Sequence, residues 1–210
     1  MTERGMIFNA EMVRALLDGM KTQTRRIVKG TDGAVKFCKE WDINGEEIFV
    51  VLGEKDRTGM NPVLGAISCP FGDVGDRIWV REAFASGLST KSTLAYRATH
   101  KREDLEDGFY DTIKWTPSIH MPRWASRILL EITDVRVERL NSISQEDAQA
   151  ESLELTGWRP TYSDPDSGGE VMTPYDNFAQ LWESIYGEES WKANPWVWVI
   201  EFKRVEGGAA

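Results

Sequence analysis

The last regular stretch of the chain, Trp196 to Lys203, alternates Trp196, Trp198, Ile200 and Phe202 with Val197, Val199 and Glu201, so it is apolar on both faces. Such a strand needs cover on both sides, and the rest of the chain has to supply it. A partner strand is predicted from Ile128 to Val137, with Ile128, Leu130 and Ile132 sharing one face and a bend at Asp134 before Val135 and Val137. Arg77-Ile78-Trp79-Val80-Arg81 alternates apolar and charged residues in the wrong phase for a helix, which predicts a half-exposed strand. A shorter strand is expected from Leu94 to Ala98.

Three helices are legible between the strands. Asn9 is placed to cap the first, whose Val13, Leu16, Leu17 and Met20 fall on one face, and Gly19 suits a left-handed stop. Ser144-Gln145-Glu146-Asp147 reads as a capping box opening a second short helix that carries Glu151 at its far end. Thr173-Pro174 opens a third, with Phe178, Leu181, Trp182 and Ile185 packing inward and Gly187 closing it. Glycines and the run Ile48-Phe49-Val50-Val51-Leu52 mark residues 30–70 as a hairpin-rich insertion, and Gly, Pro, Asp and Ser make 156–172 a mobile loop. Strands at irregular spacing with short helices predict an α+β fold, a small mixed barrel decorated by insertions. A single domain is expected over 1–210, with insertions at about 30–70, 86–120 and 156–173.

The formal charge of −9 argues against coating long duplex DNA, because contact with phosphate backbone needs many uncompensated Lys and Arg residues. Local patches oppose the global sign: Lys21, Arg25, Arg26 and Lys29 form one, Arg123 with Arg127 another. A nucleoside, a small anion or single-stranded RNA suits that distribution better than duplex. No stretch is long and apolar enough to span a membrane, so a soluble cytoplasmic protein is expected. Cys38 and Cys69 lie in separate segments, and with His100 and His120 they match no metal-ligand spacing; neither metal nor cofactor is implied. Gly72-Asp73-Val74-Gly75-Asp76 is read as turn chemistry, since no helix N-terminus follows to hold a phosphate. Nothing in the sequence specifies an oligomeric state.

Gly19-Met20-Lys21-Thr22-Gln23-Thr24-Arg25-Arg26 puts an amine, a hydroxyl three positions later and two guanidinium groups just past the first helix, at a predicted turn. With Glu151 on a second helix edge, these side chains compose a nucleophilic constellation. The run G-x-K-x-x-T-x-R, the Val74-Gly75-Asp76 turn, the Ser144 to Glu151 helix and the closing Val199-Ile200-Glu201-Phe202-Lys203 together resemble an ASCH domain, a PUA-like barrel. The likeness covers roughly residues 6–30, 70–84 and 125–204. It is nearest to the small bacterial amidohydrolases that remove the acetyl group from N(4)-acetylcytidine, and the segment Met121 to Arg127 also resembles phage- and prophage-encoded ASCH proteins. The resemblance implies that Lys21 acts as base, Thr24 as nucleophile and Glu151 as proton donor. Many ASCH domains carry glutamate where Thr24 stands, so the threonine points to the hydrolase branch.

A threonine hydroxyl attacks only when a neighbouring base takes its proton, and lysine serves only when neutral. Burial and the adjacent Arg25 and Arg26 should both lower the Lys21 pKa. Arg123, Trp124 and Arg127 are candidates to stack on and grip a base and its phosphate, the alternative being a packed segment in which Trp124 is core. Trp79, Trp182, Trp196 and Trp198 are read as structural. A turn position would also tolerate truncation of Lys21 or Thr24 without loss of fold. The competing functional class is a binding module that holds a modified base or an RNA end without turnover, using Thr24 as a hydrogen-bonding group. A third is an interaction protein for which the cleft is incidental.

Overall fold

A computed structural model describes residues 1–86, 94–100, 113–151 and 173–205. In chain order these hold β1 (Glu3–Ile7), α1 (Ala10–Leu17), β2 (Gln23–Ile27), β3 (Lys36–Trp41), β4 (Glu47–Leu52), β5 (Val63–Ile67), β6 (Arg77–Arg81), β7 (Phe84–Ser86), β8 (Leu94–Tyr96), β9 (Leu129–Arg139), α2 (Gln145–Ala150), α3 (Pro174–Tyr186), α4 (Glu188–Lys192) and β10 (Trp196–Arg204). The fold is α+β. The main sheet has five strands in the order β1-β6-β9-β10-β2, with β1 parallel to β6 and the other neighbours antiparallel. The expected insertion at 30–70 forms a separate antiparallel sheet, β3-β4-β5. The expected loop at 156–172, and residues 87–93 and 101–112 of the expected insertion at 86–120, lie outside the described residues.

The strand apolar on both faces lies inside the main sheet, between β9 and β2. Trp198, Ile200 and Phe202 join a core with Val13, Leu16, Ile78, Leu130 and Ile132, while Val197 and Val199 face a second core of Leu140, Ala148, Phe178 and Trp182. The bend predicted at Asp134 is a bulge: Glu201 pairs with Asp134 and Phe202 with Ile132, so Thr133 has no opposite residue. The extra residue resets the alternation, which lets Leu130 and Ile132 before it and Val135 and Val137 after it serve the same core. The β3-β4-β5 sheet docks through Phe49, whose ring meets Trp198 edge-on at 5.0 Å, and through Phe37 against Trp196 at 4.9 Å.

Among the described residues no ladder closes the main sheet into a barrel, which corrects that part of the sequence reading. Laid flat, four inter-strand steps would hold the edges about 19 Å apart. Instead Arg26, on β2, donates from Nη2 to the Ile7 carbonyl of β1 at 3.2 Å. The sheet therefore curls until its edges are one arginine side chain apart, and a guanidinium stands where backbone pairing would have completed a barrel. Three smaller expectations also change. Met20 and Ile185 are exposed, the predicted Leu94–Ala98 strand stops at Tyr96, and Trp196 is half-buried.

Asp76 ties the start of β1 to the turn before β6. Its carboxylate accepts from the Thr2 amide at 2.6 Å, the Thr2 hydroxyl at 2.5 Å and Arg4 Nη1 at 3.0 Å. Burial alone would raise this carboxyl, but the hydrogen bonds from Thr2, the Asp73 amide and Arg4 outweigh it and bring the pKa from 3.8 to about 2. A carboxyl lowered by folding stabilises the fold fully above the unfolded value and loses that contribution as pH falls through the folded one. The stability gap between wild type and Asp76→Asn is thus expected to be open at neutral pH and to close between pH 3.8 and about 2 in urea titrations. Trp198→Ala, in the packed centre of β10, is expected to cost about 3–5 kcal/mol by the same measurement. Ile43→Ala, at a fully exposed position, should stay within about 0.5 kcal/mol.

Candidate functional site

Asn9 caps α1 by accepting from the Met12 amide at 2.8 Å, and Gly19, at φ +72°, turns the chain back so that the Met20 and Lys21 amides both bond to the Ala15 carbonyl. The Thr22 amide then donates to the Ala150 carbonyl at the end of α2, and the Thr22 carbonyl accepts from the Phe202 amide. These bonds deliver Lys21 to the C-terminal end of α2. From Gln23 onward the chain is strand: Thr24 lies opposite Ile200 and Arg26 opposite Trp198. The predicted turn ends earlier than expected, because β10 recruits residues 23–27 as an edge strand.

Alternation along β2 separates the polar residues. Gln23 and Arg25 point toward α2 and α3, where the Gln23 side-chain amide donates to the Asp147 carbonyl at 2.6 Å and Arg25 lies over the Phe178 ring. Thr24 and Arg26 point the other way, with Arg26 over the Phe8 ring. On the α2 side a buried ion cluster forms. Lys21 Nζ meets Glu151 Oε2 at 2.7 Å and the Glu151 carbonyl at 3.0 Å, while Arg25 meets Glu151 Oε1 at 3.1 Å and Asp147 Oδ2 at 3.0 Å. Arg136, on β9, extends the chain of charges from Asp147 at 3.2 Å to Glu138 at 2.7 Å, and it also contacts Glu201. The side chains of Lys21, Arg25 and Glu151 are at most 3% exposed.

A carboxylate at a helix C-terminus is electrostatically misplaced. Here the mismatch is relieved, because Glu151 caps α2 and Lys21 donates both to its carboxylate and to its backbone carbonyl. Ser144 caps the other end by accepting from the Asp147 amide at 3.0 Å, and the Asp147 carboxylate is engaged by Arg25 and Arg136. Burial lowers the Lys21 pKa from 10.5; the Glu151 charge and hydrogen bond oppose the shift, and the Arg26 and Arg25 charges add to it. The sequence named the same two causes, but burial is the larger.

A cavity of about 280 Å³ opens beside the cluster, in the gap between the two edges of the main sheet. Arg25, Arg26 and Glu151 give it a charged floor, and Phe178, Leu181, Trp182, Ile185 and Tyr186 of α3 form an apolar wall. Lys21 and Thr24 are 3% and 0% exposed and lie behind that lining. Thr24 Oγ1 accepts from Arg26 Nη1 at 2.9 Å, and among the described residues no hydrogen bond joins it to Lys21. The expectation that these positions tolerate truncation is corrected by the same burial, since removing either side chain would empty packed space.

Arg123, Trp124 and Arg127 lie apart from the cavity lining. Arg123 pairs with Glu3 at 2.7 Å, at the opposite end of β1 from the cavity residue Ile7, about 13 Å away along the strand. Trp124 is 65% exposed, so it is not core. Arg127 makes two hydrogen bonds to the buried Glu82, at 2.9 and 3.0 Å, and stacks over Tyr96. Among the described residues no cluster of three or more His, Cys, Asp or Glu is arranged for a metal ion. Both cysteines are free thiols, and burial pushes Cys69 up to about 11. No helix among the described residues is long and apolar enough to cross a membrane.

The sequence reading passed over the Asp147 carboxylate, Arg136 and the second duty of the α3 aromatics. A signal for Arg136 existed in Asp134, Arg136 and Glu138 sharing one face of a strand. Nothing local marked α3 as a cavity wall, because a wall residue and a core residue have the same spacing. Compared with protein-family models, curated proteins and solved structures, the chain matches none of them.

Removing one partner of a buried ion cluster strands the others, so Glu151→Ala is expected to cost about 3–5 kcal/mol in urea unfolding. Arg123→Ala, which breaks a pair exposed on both sides, should cost no more than about 1 kcal/mol.

Proposed function

We propose that this chain is an ASCH-type, PUA-like protein that recognises a modified nucleobase or nucleoside, free or in single-stranded RNA, and that it is an amidohydrolase removing the acyl group from N(4)-acylated cytidine. The observation that carries the reading is the Lys21 amine 2.7 Å from the Glu151 carboxylate, its pKa lowered by burial, just behind the Arg25, Arg26 and Glu151 floor of a cavity of nucleobase dimensions. Moving one proton within that pair yields a neutral amine and a carboxylic acid, the two forms the reaction needs. Arg25 and Arg26 supply donors for the carbonyl oxygens of substrate, and Glu151 faces the exocyclic nitrogen.

In this reaction the Thr24 oxygen bonds to the acyl carbon as its proton passes to Lys21. Arg26, already donating to Thr24 Oγ1 at 2.9 Å, holds the negative charge that develops on the carbonyl oxygen. The C–N bond then breaks, Glu151 protonates the departing N(4) to leave cytidine, and the proton on Lys21 restores Glu151. Water, deprotonated by Lys21, cleaves the acyl-threonine to release the carboxylic acid and the free hydroxyl. Lys21 and Thr24 have to approach one another when substrate draws Arg26 forward, since catalytic hydrogen bonds commonly tighten only in the complex.

Release of cytidine and carboxylate from N(4)-acetylcytidine tests the proposal. Lys21→Met and Thr24→Val, which preserve volume at buried positions, are each expected to reduce turnover by at least about 100-fold with the fold retained by circular dichroism. The double variant should be no worse than either single one, because base and nucleophile act as a unit. The burial of Thr24 behind Arg26 favours a second reading, a binding module without turnover. Its signature would be cytidine binding with no hydrolysis in wild type. Arg26→Ala would then weaken anionic ligands by about 1.5–3 kcal/mol and flatten the salt dependence.

A further inference from the structure

The cavity is two-sided in chemistry, and only its floor is accounted for by an amide on a polar base. Ile7, Ile185 and Tyr186 line it while remaining 44%, 48% and 39% exposed. On α3 the apolar stripe begins fully packed, with Phe178 and Trp182 each 3% exposed, and ends open. Ile185 lies four residues beyond Leu181, and Tyr186 four beyond Trp182, with the Trp182 and Tyr186 rings 4.4 Å apart. The last turn of the helix thus overhangs the cavity with its apolar face toward the ligand space. An acetyl methyl would leave most of that wall in contact with water, where it contributes nothing to binding.

We infer that the cavity takes amides whose acyl group is larger than acetyl, aryl or branched aliphatic, seated on the wall of Leu181, Ile185 and Tyr186 while the polar half of the ligand rests on Arg25, Arg26 and Glu151. This rests on the hydrolase reading only for the identity of the polar half. The wall selects the acyl group; the floor selects what the acyl group is attached to. Arg25 and Arg26 supply donors for the oxygens of the amide and its neighbour, and Glu151 accepts from an N–H. An aromatic acyl group also gains ring-to-ring contact with Tyr186 in addition to area.

Two matched pairs of probes separate the inference from the reading beneath it. N(4)-benzoylcytidine against N(4)-acetylcytidine tests both, by turnover and by calorimetric affinity. N-benzoylglycine against N-acetylglycine tests the wall alone, with a carboxylate in place of the base. The benzoyl member is expected to bind about tenfold or more tightly in each pair, at the usual gain per unit of buried apolar area. Ile185→Ser and Tyr186→Ser, at positions open enough to leave the fold intact, should each reduce the benzoyl-to-acetyl affinity ratio by about threefold or more. Equal affinity within each pair, absence of binding by all four probes, or a ratio unmoved by both variants overturns the inference. Discrimination retained in the glycine pair, with no turnover of either cytidine, supports the wall and refutes the hydrolase reading alone.

Discussion

The contact on which the site depends is the buried pairing of Lys21 and Arg25 with Glu151. It joins the segment after α1, the edge strand β2 and the end of α2 at a point where none of the three is held by apolar packing alone. Each ion taken from water costs several kcal/mol, so the cluster survives only because nearly every charge has a partner. Asp147 supplies the second carboxylate, bringing the inner group to two cations and two anions, and Arg136 carries the pairing outward to Glu138 and Glu201. A packed apolar group would stabilise the same place at lower cost. Placing charges there instead sets the Lys21 amine 2.7 Å from the Glu151 carboxylate.

The curl of the main sheet has the second structural influence. Both-face burial of β10 demands helices on one side and a deep core on the other, and curvature around that core brings β1 and β2 together without pairing them. The unpaired gap is what leaves room for a cavity. Arg26 serves two neighbours there: one nitrogen holds the Ile7 carbonyl and the other the Thr24 hydroxyl. A side chain that spans a sheet's open edge can move without disturbing the backbone ladders. The Thr24 hydroxyl is therefore covered by a floor side chain, Arg26, and not by backbone.

α3 links two of the hydrophobic cores to the cavity. Its capping box, made by Thr173 and Asp176, starts the helix, and Phe178 and Trp182 fasten it to Val197 and Val199 on the outer face of β10. Beyond Trp182 the helix continues for about one more turn, to Tyr186. That final turn converts an ordinary amphipathic stripe into a wall with a buried base and an open mouth.

The sequence by itself determined the features that rest on neighbours in the chain. The caps at Asn9 and Ser144, the stop at Gly19, the two-faced strand at Trp196 to Lys203 and the bend at Asp134 follow from local backbone chemistry and side-chain alternation, whose periods are short. The bulge shows this well, since only an extra residue lets Ile132 and Val135 face one core. Tertiary structure alone decided what those elements meet. It made residues 23–27 a strand because β10 offered an edge, and that strand's alternation turned Thr24 away from Arg25. It brought Glu151 to Lys21 across 130 positions and sent Arg123 and Arg127 to Glu3 and Glu82 instead. Charged side chains carry no periodic signature of their partner: burial imposes the need for pairing, and the geometry of the packed fold selects which opposite charge fulfils it.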